Sequence, residues 1–135
     1  MESSFDTLPF VYVRLKGKNG HVSEYRGIVN PASEYSFLPK VDAYALGYTE
    51  AAYTEYVSRP PNLISFVSQS GYTEAALIDV QEVCVGPISV LQVPFVAFDI
   101  QQITGCDVIL GTTFLQSLKV EIDYRNKRLR LEKAI

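Results

Sequence analysis

Apolar and polar residues alternate along much of the chain with the period of two that is typical of a half-buried β-strand. The run Phe10–Lys16 alternates in this way and is rich in β-branched residues. Residues 17–20 then supply glycines and an asparagine that tolerate a positive φ angle. With 21–29 as the returning strand, the pattern predicts an N-terminal hairpin that ends at a break in the alternation, at Asn30 and Pro31.

The same pattern predicts two more hairpins. The first joins 63–67 to 72–80 through a small, polar tip, the strand continues through 81–85, and the chain turns at Gly86 and Pro87. A strand over 88–98 follows, with Pro94 expected at an edge or a bulge because proline donates no ladder hydrogen bond. The last hairpin joins 119–124 to 128–132.

Helical segments are few and short. Residues 39–47 begin with proline and end with glycine, as short helices do, and 112–118 suits a second helix. Residues 48–62 contain two consecutive prolines and are interpreted as a long connection with, at most, one helical turn. Many short strands with one or two short helices predict an all-β, barrel-like fold formed by a single domain over residues 1–135.

Composition narrows the classes of function. The chain has 135 residues, of which 47% are hydrophobic and 20% charged, so it can bury a core. The net charge of −3 disfavours nucleic-acid binding through phosphate neutralisation. The N-terminus lacks the basic and apolar regions of a secretory signal, and no window approaches a membrane span of about 20 apolar residues. We therefore expect a soluble, cytoplasmic protein that does not interact with membranes.

Cysteine and histidine are too few for several kinds of site. Cys84 and Cys106 are expected to be buried thiols, although an intrachain disulfide is an alternative if the source is a hyperthermophile. His21 follows Asn19 and Gly20 and fits a solvated turn. We expect no metal, no cofactor and no triad built on histidine.

Two segments together resemble the retroviral-type, or retropepsin-like, aspartic proteases. That family carries an apolar strand leading into Asp-Thr/Ser-Gly-Ala, and a few residues later Ser followed by two apolar residues; here residues 27–39 read GIVNPASEYSFLP. Counting back from Ser36 places Asn30 at the position of the catalytic aspartate. The second motif is an apolar run that ends in glycine and enters a short helix, matched by residues 107–115 and followed by the 120–131 hairpin. The resemblance spans about residues 10–132.

The resemblance implies a closed β-barrel with a flap hairpin, forming one half of a two-fold homodimer that cleaves peptide or protein substrates. Asn30 from each chain would occupy the catalytic position, and the hairpin at 63–80 would be the flap. The residues expected to contact substrate are Ala32, Ser33, Val67, Ser68, Gln69, Ser70, Gly71 and Leu110, with Val108 and Ile64 in further apolar subsites. The C-terminal stretch 128–135 is expected either in the dimer interface or as an edge strand within the chain.

Asn30 leaves two explanations open, because an amide cannot accept the proton that an aspartic protease removes from water. An engineered Asp→Asn replacement would preserve the rest of the site, whereas a natural pseudoprotease would serve as a peptide-binding or dimerisation module. Pro31 and Ala32, which replace the family's hydroxyl residue and glycine, favour the second explanation, as does Thr113 at a position where an acid or amide is frequent. The intact second motif and Ser36 favour the first.

A generic small β-barrel is the remaining alternative. The other aspartates are expected to be solvated or capping residues, and they are Asp42, Asp79, Asp99, Asp107 and Asp123.

Overall fold

Ten strands and two short helices make up the described part of the computed structural model, which covers residues 1–48, 63–68, 71–99 and 106–134. In chain order they are β1 (Glu2–Ser4), β2 (Phe10–Lys16), β3 (Val22–Val29), β4 (Ser36–Leu38), α1 (Lys40–Ala45), β5 (Leu63–Ser68), β6 (Gly71–Val85), β7 (Ile88–Ala97), β8 (Val108–Leu110), α2 (Thr112–Leu115), β9 (Leu118–Asp123) and β10 (Arg128–Lys133). Apart from Tyr48, the long connection expected at 48–62 lies outside the described residues.

Six of the strands close into a barrel. They follow the order β2-β3-β8-β4-β7-β6, and β6 pairs with β2 to complete the ring, while β5 extends the sheet beyond β6. Most pairings are antiparallel, but β8 runs parallel to β3 and β4 runs parallel to β7. The predicted all-β, closed-barrel architecture with a few short helices is confirmed.

The alternation along β2 shows why these residues form a barrel wall. Val11, Val13 and Leu15 point into the core and are buried, whereas Tyr12 between them is 71% exposed. Successive side chains of a strand point to opposite faces, so this order of residues buries one face and solvates the other. The buried residues of the barrel form one cluster with Phe114 of α2 and Leu129 of β10.

The predicted hairpins are present, with small differences at their ends. The N-terminal hairpin is β2–β3, the closing hairpin is β9–β10, and β6 is one continuous strand of 15 residues that carries the second hairpin into the barrel. Helix α2 has four residues and ends earlier than expected. Pro94 pairs with Asp79 of β6 just before β4 begins to pair at Phe95, so it lies where β7 has one described neighbour.

A second sheet contains the C-terminal strand in an arrangement that the sequence did not predict. Its order is β1-β10-β9, so β10 is the central strand and not an edge strand. The element that the sequence did not predict is β1, which pairs with β10 and whose Glu2 carboxylate forms ion pairs with Arg128 and Arg130. The Met1 ammonium group donates to the carbonyl of Leu131 at 2.8 Å, which extends the pairing by one residue.

Both cysteines are free thiols and are half-buried, so the disulfide alternative is not realised in this structure. The Cys106 thiol donates to the carbonyl of Val108, and burial raises the pKa of this thiol. No helix among the described residues is long and apolar enough to cross a membrane.

Candidate active site

Asn30 lies directly after β3, at the point where the strand leaves the sheet. Its backbone N–H donates to the carbonyl of Leu110 on β8 at 3.0 Å, which continues the parallel β3–β8 pairing by one more bond. The following residue, Pro31, has no N–H and cannot continue the ladder. The hydrogen-bond ladder therefore ends at Asn30, whose half-buried side chain lies at the tip of the strand.

The loop after Asn30 folds back on the asparagine side chain. Oδ1 of Asn30 accepts the N–H of Ala32 at 3.1 Å, and the carbonyl of Asn30 accepts the N–H of Ser33 at 3.1 Å. This is the turn that asparagine and aspartate form readily, because their short side chains reach the backbone two residues ahead. Since aspartate offers the same oxygen, either residue at position 30 is compatible with this turn.

The two motifs found in the sequence are neighbours in the fold. Residues 27–29 pair with 108–110 in parallel register, and Phe37 of β4 pairs with Ile109 of β8. Gly111 follows β8 under the loop, where a Cβ atom would lie 2.7 Å from the carbonyl oxygen of Ser33 and closer still to that of Tyr35. Only glycine fits this backbone-to-backbone contact, which explains the glycine that ends the second motif.

Ser36 connects the two motifs through its side chain. It is fully buried (0% exposed), and its Oγ accepts the N–H of Gly111 at 3.0 Å and the hydroxyl of Thr113 at 2.8 Å. In return, the N–H of Ser36 donates to Oγ1 of Thr113 at 2.9 Å. Buried polar groups require such partners, so this reciprocal pair fixes the end of the loop against α2.

Thr112 holds the loop at a second point. Its N–H and its hydroxyl both donate to the carbonyl of Ser33, at 2.8 and 3.0 Å. The hydroxyl of Ser33 donates to the carbonyl of Tyr35 at 2.6 Å. Sequence reasoning recognised Thr113 only as a departure from the family and did not identify Thr112. The signal available was two consecutive threonines directly after the motif's glycine.

The residues predicted to contact substrate fall into three groups. Ala32 is exposed and Ser33 is half-buried, both in the loop beside Asn30. The predicted substrate contact of Leu110 must be corrected, because its side chain is 0% exposed in the barrel core and only its carbonyl reaches the loop. The side chain of Val108, at 1% exposed, is buried in the same way. An inward-facing strand residue with buried neighbours on both sides has no face left for a ligand.

The third group belongs to the predicted flap. Strands β5 and β6 form an antiparallel hairpin in which Ser68 pairs with Gly71, and Gly71 has a positive φ of 101°. Val67 and Ser68 lie on β5, whereas Gln69 and Ser70 lie outside the described residues. Residues 71–76 of β6 pair with β5, and from Leu77 onward β6 pairs with β7.

Three of the other aspartates accept hydrogen bonds from backbone N–H groups. Asp99 accepts the N–H of Lys40 at the start of α1, Asp107 accepts the N–H of Arg26, and Asp123 accepts the backbone and side-chain N–H groups of Asn126. Asp99 at the start of α1 and Asp123 in a turn fit the expectation of capping residues, and Asp107 is exposed and bonds to a residue within β3. Asp42 differs, because burial raises its pKa and the nearby charges of Asp107 and Asp99 raise it further.

Within residues 1–48, 63–68, 71–99 and 106–134, no group of three or more His, Cys, Asp or Glu side chains is arranged to hold a metal ion.

Comparison with known proteins gives a structural likeness without a sequence family. A crystal structure of a retropepsin-like aspartic protease from Rickettsia conorii matches with a TM-score of 0.57 and 18% sequence identity, covering 93% of this chain and 99% of that chain. No family model matches the chain. A search of curated proteins also gives no match. At this identity the likeness establishes the fold, and the chain has the retropepsin-like fold over nearly its whole length.

Proposed function

We propose that the chain is one subunit of a two-fold aspartic endopeptidase, that position 30 is catalytic, and that the form with asparagine there is inactive. The observation that carries the proposal is the placement of Asn30 at the tip of β3, where the first motif pairs with the second, within a fold shared with an aspartic protease. One chain supplies one such loop, so a closed C₂ dimer is the simplest assembly that pairs two of them.

The proposed chemistry requires two carboxylates facing each other across the two-fold axis. Like charges at short distance cannot both ionise, so the pair shares one proton: one carboxylate removes a proton from water and the other polarises the scissile carbonyl. An asparagine amide can bind the water through hydrogen bonds, but it cannot accept the proton. A homodimer of the Asn30 chain therefore lacks both the general base and the acid.

Substrate would bind as an extended strand over the loop, in the β-augmentation mode of peptide recognition. Ala32 and Ser33 would line the floor, and the flap tip, residues 67–71, would cover the peptide. Apolar side chains around the scissile bond are the expected preference. Leu110 is not part of this proposal, because its side chain lies in the core.

The neighbouring proline limits one route from asparagine to aspartate. Spontaneous deamidation by cyclisation needs the backbone N–H of the following residue as nucleophile, and Pro31 has none. Position 30 is therefore expected to remain an amide in a purified preparation, so trace activity would have to come from another source.

The proposal is tested by peptide cleavage. We expect Asn30→Asp to cleave peptides from a diverse library at acidic pH and the Asn30 chain to be at least about 1,000-fold slower, since general acid–base catalysis alone contributes about 100- to 10,000-fold. Pepstatin should inhibit the aspartate form. A matched control is Asn126→Asp, which places the same change in the exposed β9–β10 turn. If neither Asn30 nor its aspartate variant cleaves any peptide, the enzyme proposal fails.

A non-catalytic peptide-binding module is the second candidate, favoured by the loop itself. The Asn30 side chain is built into the turn through Ala32, so the loop is formed without a carboxylate. This candidate predicts that the Asn30 chain binds peptides as tightly as its aspartate variant, and that the variant does not cleave them. Fluorescence anisotropy with labelled library peptides compares the two affinities directly.

A further inference from the structure

A groove lies between the segment that follows β1 and the β2–β3 hairpin. It is lined by residues 4–8 on one side and by residues 10–12 and Arg26 on the other. Its volume is about 370 Å³, near the lower end of the range of about 300–1,000 Å³ that is usual for ligand-binding sites. The groove therefore has room for a small ligand or for the end of a longer one.

The wall formed by residues 6–8 is anchored at both of its ends. On one side, the N–H of Phe5 donates to the carbonyl of Lys127 at 3.0 Å. On the other side, the carbonyl of Pro9 accepts the N–H of Val29 at 3.0 Å. The wall is thus formed without a ligand, so binding does not have to supply the free energy for ordering it.

Arg26 gives the groove a positive charge that no carboxylate neutralises. Its guanidinium lies 4.1 Å from the centroid of the Phe10 ring, in a cation–π contact. Among the described residues, no acidic side chain forms an ion pair with Arg26. The acidic residue of the lining, Asp6, pairs instead with Lys127 at 3.6 Å. An anionic group is therefore the electrostatic complement of the groove.

A carboxylate attached to an apolar group matches this lining. A guanidinium offers two parallel N–H donors to a single carboxylate, whose one charge it balances, whereas a phosphate carries up to two charges. The surfaces beside the guanidinium are apolar, since Phe5 and Phe10 are half-buried and Leu8 is 38% exposed. These surfaces can bury an apolar side chain next to the bound carboxylate.

The exposed segment 6–8 also has unused backbone groups of both kinds. No acceptor in the described part of the chain bonds to the N–H groups of Asp6, Thr7 or Leu8. The carbonyl oxygens of Asp6 and Thr7 likewise accept no bond from a described donor. A peptide backbone carries donors and acceptors, so it complements this wall, whereas a simple organic acid has acceptors alone.

We propose that the groove binds the C-terminal end of a peptide whose last residue is apolar. The terminal carboxylate bonds to the Arg26 guanidinium, the last side chain lies against Phe10 and Leu8, and the backbone runs along residues 6–8. Because an internal peptide bond has no carboxylate, the groove recognises the end of a chain and not its middle. The proposal is independent of the proposed function, since it uses no residue of the 30–33 loop and requires no cleavage.

Fluorescence anisotropy with short, N-terminally labelled peptides tests the proposal on the unchanged Asn30 chain. A peptide that ends in phenylalanine with a free carboxylate should bind about 5- to 50-fold more tightly than the same peptide with a C-terminal amide. Replacing the final phenylalanine by glycine should weaken binding about 10-fold. 3-Phenylpropionate, which has the ring and the carboxylate without the backbone, should compete at least about 10-fold less well. Equal affinity for the acid and the amide, or for the peptide and 3-phenylpropionate, overturns the proposal.

Arg26 and Arg14 provide matched variants. Arg26→Gln removes the charge and should abolish the preference for the free carboxylate, whereas Arg26→Lys keeps the charge without the paired donors and should retain part of it. Arg14 is exposed on the same hairpin but does not line the groove, so Arg14→Gln should preserve the preference. An Arg26→Gln protein that still prefers the carboxylate, or an equal loss in Arg14→Gln, contradicts the proposal.

Amide chemical shifts measured by NMR locate the bound peptide on the protein. Addition of the phenylalanine peptide should change the shifts of residues 6–8 and of Tyr12, and the amidated peptide at the same concentration should change them less. Shift changes confined to residues 32–37 would place the peptide at the candidate active site and overturn the assignment of the groove.

Discussion

At the residue scale, the candidate site depends on contacts between residues that are far apart in the chain. Ser36 and Thr113 are separated by 77 positions, yet they exchange two hydrogen bonds at 2.9 and 2.8 Å. This contact secures the loop that presents Asn30.

Replacing Thr113 tests how much this pair stabilises the protein. Thr113→Val keeps the shape of the side chain but leaves the N–H and the Oγ of buried Ser36 with fewer partners. We expect a loss of about 1–3 kcal/mol in the free energy of unfolding, the usual cost of an unsatisfied buried polar group. Urea denaturation followed by circular dichroism measures it. Thr113→Ser retains the hydroxyl and should recover most of the loss; equal losses in both variants would contradict this account.

Sequence reasoning located the candidate position but not its supports. Asn30 was found by counting along a motif, because the spacing from the strand end to Ser36 is fixed by the loop. The hydrogen bonds from Thr112 to the carbonyl of Ser33 were not predicted, because a threonine after glycine fits a helix start equally well. The predicted role of Leu110 was wrong because the motif does not state which face of β8 is buried.

At the scale of elements, the alternation of apolar residues predicted the long barrel strands β2, β3, β6 and β7, whereas the three-residue strands β4 and β8 were recognised only as parts of the two motifs. It did not predict β1, whose residues Glu2–Ser4 contain no apolar side chain. The pairing of β1 with β10 depends on backbone bonds and on Glu2 reaching arginines that are 126 and 128 positions away. The edge-strand prediction for β10 failed for the same reason.

Helix α1 carries a carboxylate whose titration should affect stability. Burial, followed by repulsion from Asp107 and Asp99, raises the pKa of Asp42 in the folded protein. The folded state therefore binds a proton more readily than the unfolded state, and the charged form destabilises the fold at neutral pH. This penalty disappears as the pH falls through the raised pKa towards about 4, the value in the unfolded chain.

We expect Asp42→Asn to raise the melting temperature at pH 7, with a gain that shrinks as the pH approaches about 4. Asp123 provides a control of opposite sign, because its hydrogen bonds to the backbone and side chain of Asn126 lower its pKa. Asp123→Asn should lower the melting temperature at pH 7, and this loss should fade as the pH falls through the lowered pKa. Thermal denaturation at both pH values compares the variants; the same sign for both would refute the electrostatic explanation.

At the scale of the whole molecule, the topology combines segments that no local pattern connects. The parallel pairing of β3 with β8 brings together residues about 80 positions apart, and the ring closes where β2 meets β6 at Arg14–Cys84, Leu15–Val83 and Lys16–Glu82. Local periodicity predicts strands and not their order. The number of short strands predicted a barrel-like fold, and the closed form with its strand order was expected only through the resemblance of the two motifs, whose relative position is meaningful only within one topology.

Because the barrel is closed, we expect a substitution at the β2–β6 seam, where these two strands pair, to destabilise every strand of the ring. Leu15 is 0% exposed and pairs with Val83 at the seam, so Leu15→Ala should cost about 2–5 kcal/mol through lost burial and a residual cavity. If the ring unfolds as one unit, hydrogen exchange of the β8 amides, which do not pair with β2, should accelerate by the same free energy as exchange in β2. Tyr12→Ala, on the exposed face of the same strand, should change stability by less than about 0.5 kcal/mol. Faster exchange confined to β2 and β6 would mean that the seam opens locally and that the barrel does not act as one cooperative unit.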